Sequence, residues 1–237
     1  MSATDVLSSI WDDVVGTQVP LDRGGVVATG VVAAILVLSM WPLVRHVVTI
    51  AHEGAHGVAA LLSGRRLSGI RVHSDTSGLT VSRGKPTGPG MVATAFAGYV
   101  GPALLGLGAA YLLHRQHALA VLWLAVLLLT LLLLQIRNFY GLWAVLVAGL
   151  GVAAVSWWGS GEVQSLAAYV GTWLLLLAAP RPVVELQLQR RRGGARTSDA
   201  DQLARLTRVP GIVWVVLFLC VTLGCLVQGG RWLWIPA

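Results

Sequence analysis

The chain places two imidazoles and a carboxylate within five positions, His52-Glu53-Gly54-Ala55-His56. Residues four apart on a helix lie on one face with Cβ atoms about 5–6 Å apart, so both imidazoles can be directed at one ion. Zinc accepts neutral imidazole nitrogen and, in hydrolases, keeps one position open for water. Glu53 adjoins the first imidazole, where it can take a proton from that water and return it to a leaving amine. With six histidines and three glutamates in the chain, shuffling would produce H-E-x-x-H with a probability of roughly 0.002. The same residues can also be read as a proton path, or as histidines bonded to neighbouring helices with Glu53 paired to a base. Arg45 is two helical turns from Glu53, too far for a direct pair on one helix.

These residues must be carried by a membrane protein. Of 237 residues 56% are hydrophobic and 11% charged, well outside the range of soluble domains. Apolar segments run over 25–41, 43–62, 91–113, 118–136, 139–157, 163–179 and 211–228, most of them near the roughly 20 residues a spanning helix needs. The fold class expected is all-α and polytopic, with six or seven transmembrane helices. The site lies in the second segment, near the midplane, where an ionisable group costs about 2.5–3.5 kcal/mol and is usually kept for function.

If all seven segments cross, nearly all of the 17 Lys and Arg fall on the side of the amino terminus, and only Arg45, Arg115 and Arg231 on the other. By the positive-inside rule that predicts a cytoplasmic amino terminus. If the second segment is re-entrant, six crossings remain and the amino terminus changes sides. The same placement accounts for the net charge of +7 without a nucleic-acid partner. Cys220 and Cys225 share one apolar span on different helix faces and imply no disulfide framework. The first 24 residues carry four aspartates and one arginine, so no secretory signal is expected; 3–15 is mildly amphipathic.

Two connections can hold structure. Residues 67–83 alternate around Asp75-Thr76-Ser77-Gly78, predicting a β-hairpin within the loop 65–89. The basic stretch 181–210 predicts a cytoplasmic loop ending in a short helix capped by Ser198 or Asp199. The expected organisation is thus a cytoplasmic segment 1–24, a membrane core 25–180, the basic loop 181–210 and a final helix 211–230. Asn138, beside Arg137, is a candidate for orienting a substrate backbone, or an interfacial anchor.

The H-E-G-A-H helix, the hairpin after it and Ala97-Gly98-Tyr99-Val100-Gly101-Pro102 in the next span resemble the site-2 protease family of intramembrane zinc metallopeptidases, in its bacterial family B branch. Residues 198–214 resemble that branch's carboxy-terminal part. The resemblance implies a Zn2+-dependent metalloendopeptidase of the bacterial cell membrane that cleaves membrane-protein segments in or beside the bilayer. It implies His52 and His56 as metal ligands, Glu53 as general base, and a hairpin edge, 70–73 or 79–82, that unwinds substrate by strand pairing. The family's usual third ligand, an aspartate in a Leu-Asp-Gly motif, is missing from the later spans. Asp201 is the first candidate to replace it and Asp199 the alternative, with His73, Asp75 and Asn138 also considered. A silent membrane scaffold is the rival reading, a proton-coupled transporter a more distant one.

Overall fold

The computed structural model describes residues 3–193 and 198–235; Gly194 and Arg196 of the basic loop lie outside them. The described chain is built from α1 (Ala3–Val15), α2 (Arg23–Ser39), α3 (Trp41–Leu62), β1 (Arg66–Val72), β2 (Gly78–Arg83), α4 (Pro89–His114), α5 (Ala118–Leu133), α6 (Phe139–Trp158), α7 (Gly161–Ala178), α8 (Pro180–Arg191), α9 (Asp199–Thr207) and α10 (Gly211–Trp234). It is an all-α polytopic membrane protein with one small antiparallel sheet. Its outer faces carry exposed Ile35, Leu38, Leu127, Leu131, Trp143, Leu150, Val216 and Val227. Such surfaces are stable where the solvent is hydrocarbon and every backbone group is bonded within its own helix.

Helices α4, α6, α10 and the continuous stretch Gly161–Arg191 formed by α7 and α8 are each long and apolar enough to cross a bilayer. The apolar helix α5 has 16 residues. The first two predicted spans behave differently: α2 and α3 are bent by 102° at their junction, so α3 is not a second full span antiparallel to α2. Met40 leaves helical geometry there. Pro42 sits in the first turn of α3, where its missing N–H costs nothing and where a new helix can start. The start of α3 is fixed by Arg181, which lies over the Trp41 ring at 4.2 Å, donates to the Val37 carbonyl at 2.7 Å and shares Glu185 with Arg45.

From that start α3 runs antiparallel to α4. Gly101 presses on Ala55, and further along Gly90 meets Ser63. The amino-terminal segment packs at the far end of α4: Gln18 N–H donates to Gln116 C=O at 2.8 Å, and His117 contacts Gly16 C=O at 2.9 Å. It therefore lies at the opposite end of α4 from the hairpin and its arginines. Arg23, grouped with those arginines on a seven-span count, belongs to the sparse end, and Arg45 belongs with α8 at the basic end.

In the hairpin Ile70 faces Thr80 and Val72 faces Gly78, with a bulge between Leu67 and Gly69. A third segment completes it. Ile70 N–H donates to Gln135 C=O at 2.8 Å and Arg137 N–H to Ile70 C=O at 2.9 Å, forming a parallel bridge between Ile70 and Ile136. Gly69, at φ +149°, lets this segment approach, because a Cβ there would meet the Gln135 carbonyl and the Arg137 side chain. Ile50, Ile70, Val72, Leu132, Ile136 and Val145 bury the join.

Candidate metal centre

Helix α3 brings His52 and His56 to one face, with Nε2 atoms 3.0 Å apart. The carboxylate that meets them belongs to Asp199, the first residue of α9: its Oδ2 is 3.3 Å from His52 Nε2 and 3.2 Å from His56 Nε2. Among the described residues these three form the one grouping of His, Cys, Asp and Glu able to hold a metal. The spacing fits zinc. Ligands at 2.0–2.1 Å in a tetrahedron stand about 3.3 Å from one another, and the three observed separations fall at or just below that edge.

The surroundings favour the same use. His56 Nδ1 lies 2.6 Å from the Thr94 carbonyl, so that nitrogen carries a proton and donates, which leaves Nε2 as the atom that can face a metal. A second hydrogen bond of this kind is how metal-ligating histidines are commonly oriented. The Tyr99 ring meets His52 edge-on at 4.9 Å between centroids and stacks on Phe218 at 5.0 Å, which walls the site on the α10 side. Gly98 removes the side chain that would otherwise stand against both imidazoles. Burial pushes the Asp199 carboxyl up, but its hydrogen bonds with His52 and His56 outweigh it and hold the group well below the usual carboxylate range.

Glu53 is buried. The Thr80 hydroxyl reaches both Glu53 Oε2, at 2.6 Å, and the Glu53 backbone carbonyl, at 3.0 Å. Gly78 passes so close to the Glu53 carboxylate that a Cβ would overlap it. The hairpin is thus seated on the carboxylate next to the histidines.

The other sequence candidates are engaged elsewhere. Asp201 is not at the histidine pair: its Oδ1 pairs with Arg190, and its Oδ2 accepts from Ser198 at 2.8 Å. Ser198 caps α9 by accepting from Asp201 N–H, which leaves Asp199 to face α3. Asn138 acts on the protein's own backbone. Its Nδ2 donates to Val72 C=O at 2.7 Å and its Oδ1 accepts from Val72 N–H at 3.2 Å. Asp75 closes the hairpin turn by accepting from Ser77 N–H at 3.0 Å and Ser77 Oγ at 2.6 Å, and His73 contacts the same serine.

These contacts also decide which strand edge is open. The Ile70 peptide groups point to 135–137, so Ile70 and Thr80 form a non-hydrogen-bonded pair within the hairpin, and by the two-residue alternation of an antiparallel ladder the peptide groups of Gly78, Thr80 and Ser82 point outward from β2. The edge at 70–73 is occupied. The edge of β2 makes no backbone hydrogen bond to another segment among the described residues. Thr80, Thr94 and Tyr99 were not singled out as site residues from sequence; Tyr99 sits in the G-Y-V-G-P run already noted, while Thr80 and Thr94 carry no local signal.

The model of the Peptidase M50B-like family matches residues 25–229. No curated protein and no solved structure matches the chain.

Proposed function

We propose that this chain, which belongs to the Peptidase M50B-like family, is an intramembrane zinc metalloprotease in which His52, His56 and Asp199 hold the metal and Glu53 is the general base. The observation that carries the reading is the triangle of two imidazole nitrogens and one carboxylate oxygen with sides of 3.0, 3.2 and 3.3 Å, on the residue pair that flanks Glu53. Zinc bound there supplies Lewis-acid activation of water near neutral pH. Glu53 takes the proton of the attacking water and gives it to the departing amine as the peptide bond breaks. Thr80 steadies that carboxylate through its hydroxyl. Asp199 within ligand reach favours an active protease over a silent scaffold, which had its motive in a missing third ligand.

The substrate reading is a membrane-protein segment that adds as a strand to β2. Its backbone would pair with the outward peptide groups of Gly78, Thr80 and Ser82, beside Glu53, which draws a helical segment into the extended form that hydrolysis requires. The basic end of the bundle, with the hairpin, α8 and α9, is read as cytoplasmic by the positive-inside rule. That puts the amino terminus on the opposite face, reversing the orientation expected from seven spans.

The test is the metal content of the purified full chain together with cleavage of a transmembrane reporter. Wild type is expected to carry one zinc, and His56→Ala and Asp199→Asn to lose it. Glu53→Gln should keep zinc and lose cleavage. A wild-type protein without zinc, or a Glu53→Gln variant that still cleaves, overturns the reading.

A further inference from the structure

A ligand carried on a nine-residue helix must still be placed to within about 0.5 Å for a metal site to work. Part of that placement is apolar: Ala200 and Leu203 are fully buried in a cluster with Ala95, Val100, Val183, Leu186, Val215 and Phe218. This fixes which face of α9 is turned inward. Apolar contact at Ala200 alone does not close the turn's end, because the first N–H groups of a helix have no partner within it and such ends fray.

A polar assembly closes that turn. Ser198 Oγ accepts from Asp201 N–H at 3.3 Å and donates to Asp201 Oδ2 at 2.8 Å, a reciprocal arrangement akin to a capping box. The other carboxylate oxygen pairs with Arg190 at the end of α8. The same guanidinium lies over Gly211, the first residue of α10, where a Cβ would come within 2.8 Å of Nη1. Three elements therefore meet at one side chain. The ion pair is partly buried, at 19% and 25% side-chain exposure, so it is screened less than a surface pair.

We propose that Arg190 and Asp201 form a positioning clamp: by tying the first turn of α9 to the ends of α8 and α10, they set the Asp199 carboxylate on the zinc held by His52 and His56. The inference rests on the zinc reading above. Asp201 touches no reacting atom in this assignment and acts only through Asp199.

The experiment is titration of the full-length, zinc-stripped protein with Zn2+ against a competing chelator, with the melting midpoint of the stripped protein recorded for each variant. Asp201→Asn and Arg190→Gln are each expected to weaken zinc binding about 10–100-fold, the range found when a partner behind a metal ligand is removed. The midpoint should move little. The exchanged pair Arg190→Asp with Asp201→Arg should recover most of the affinity, a rescue that general destabilisation would not give. If Asp199→Asn loses zinc while both clamp variants bind it like wild type, the clamp is wrong and the zinc site stands. If Asp199→Asn is silent and Arg190→Gln tightens binding, Asp201 is itself the ligand and the clamp is overturned. If wild type binds no zinc, the zinc reading fails and the clamp with it.

Discussion

Replacing Gly98 by alanine tests the site through a residue that is not a ligand. A Cβ built on this backbone lies 2.5 Å from His56 Cε1 and 2.7 Å from His52 Cε1, where carbon atoms ordinarily approach to about 3.5 Å. Relief requires both imidazoles to move by about 1 Å, or α4 to lift from α3. Lifting is resisted by the contact of Gly101 on Ala55, three residues along α4. A displacement of about 1 Å is twice what a metal or catalytic constellation tolerates. Zinc affinity should fall by about 100-fold or more, the upper end of what losing the support of a ligand costs. Chelator competition on the purified protein measures it. Gly108→Ala is the matched control on the same helix: nothing lies within 4 Å of its Cβ, and alanine improves on glycine in a helix by up to about 1 kcal/mol. It should leave zinc binding intact and hold or raise the melting midpoint. A Gly98→Ala protein that binds zinc like wild type would refute the placement of the two imidazoles against α4.

Thr80→Val removes the hydroxyl on Glu53 at nearly constant volume. A hydrogen bond to a charged group contributes about 1.5–3 kcal/mol, so cleavage should slow by about tenfold or more with zinc affinity unchanged; equal losses in both would mean that Thr80 supports the metal instead. Asn138→Leu strips both bonds to Val72 and should speed amide exchange at Val72 by more than about tenfold, since each neutral bond is worth about 1 kcal/mol, and unchanged protection would show that the third segment holds without it. Single cysteines introduced at Ser9 and at Ser77, in a chain with Cys220 and Cys225 replaced by alanine, should label from opposite sides of sealed vesicles, with Ser77 on the cytoplasmic face; labelling from the same side contradicts the bent α2–α3 reading.

What sequence could reveal depended on how local each signal was. His52, Glu53 and His56 lie within one turn, and the hairpin and the Ser198-capped helix are short-range patterns, so all were legible. The choice between Asp199 and Asp201 was not, because both stand in the first turn of α9 and either can be imagined near the membrane. A usable clue was present: Asp199 precedes buried Leu203 by four residues and shares its face, whereas Asp201 precedes exposed Arg205. Segment 135–138 was invisible as a strand, being too short for alternation and bonded to a partner far away in sequence. Hydropathy measures how apolar a segment is and not its direction, so whether α3 crosses the membrane or bends back stayed open in the sequence.

The third ligand, Asp199, has a consequence for the order in which the protein is made. His52 and His56 leave the ribosome early, while Asp199 follows only after α4 to α8. At about 5–20 residues per second, roughly seven to thirty seconds separate them. Through that interval the nascent chain holds two imidazoles and a base without the carboxylate that would complete the set. Hydrolytic competence on the proposed assignment therefore arrives only after α4 to α8 have been made, and a chain truncated before α9 would carry the motif without the chemistry.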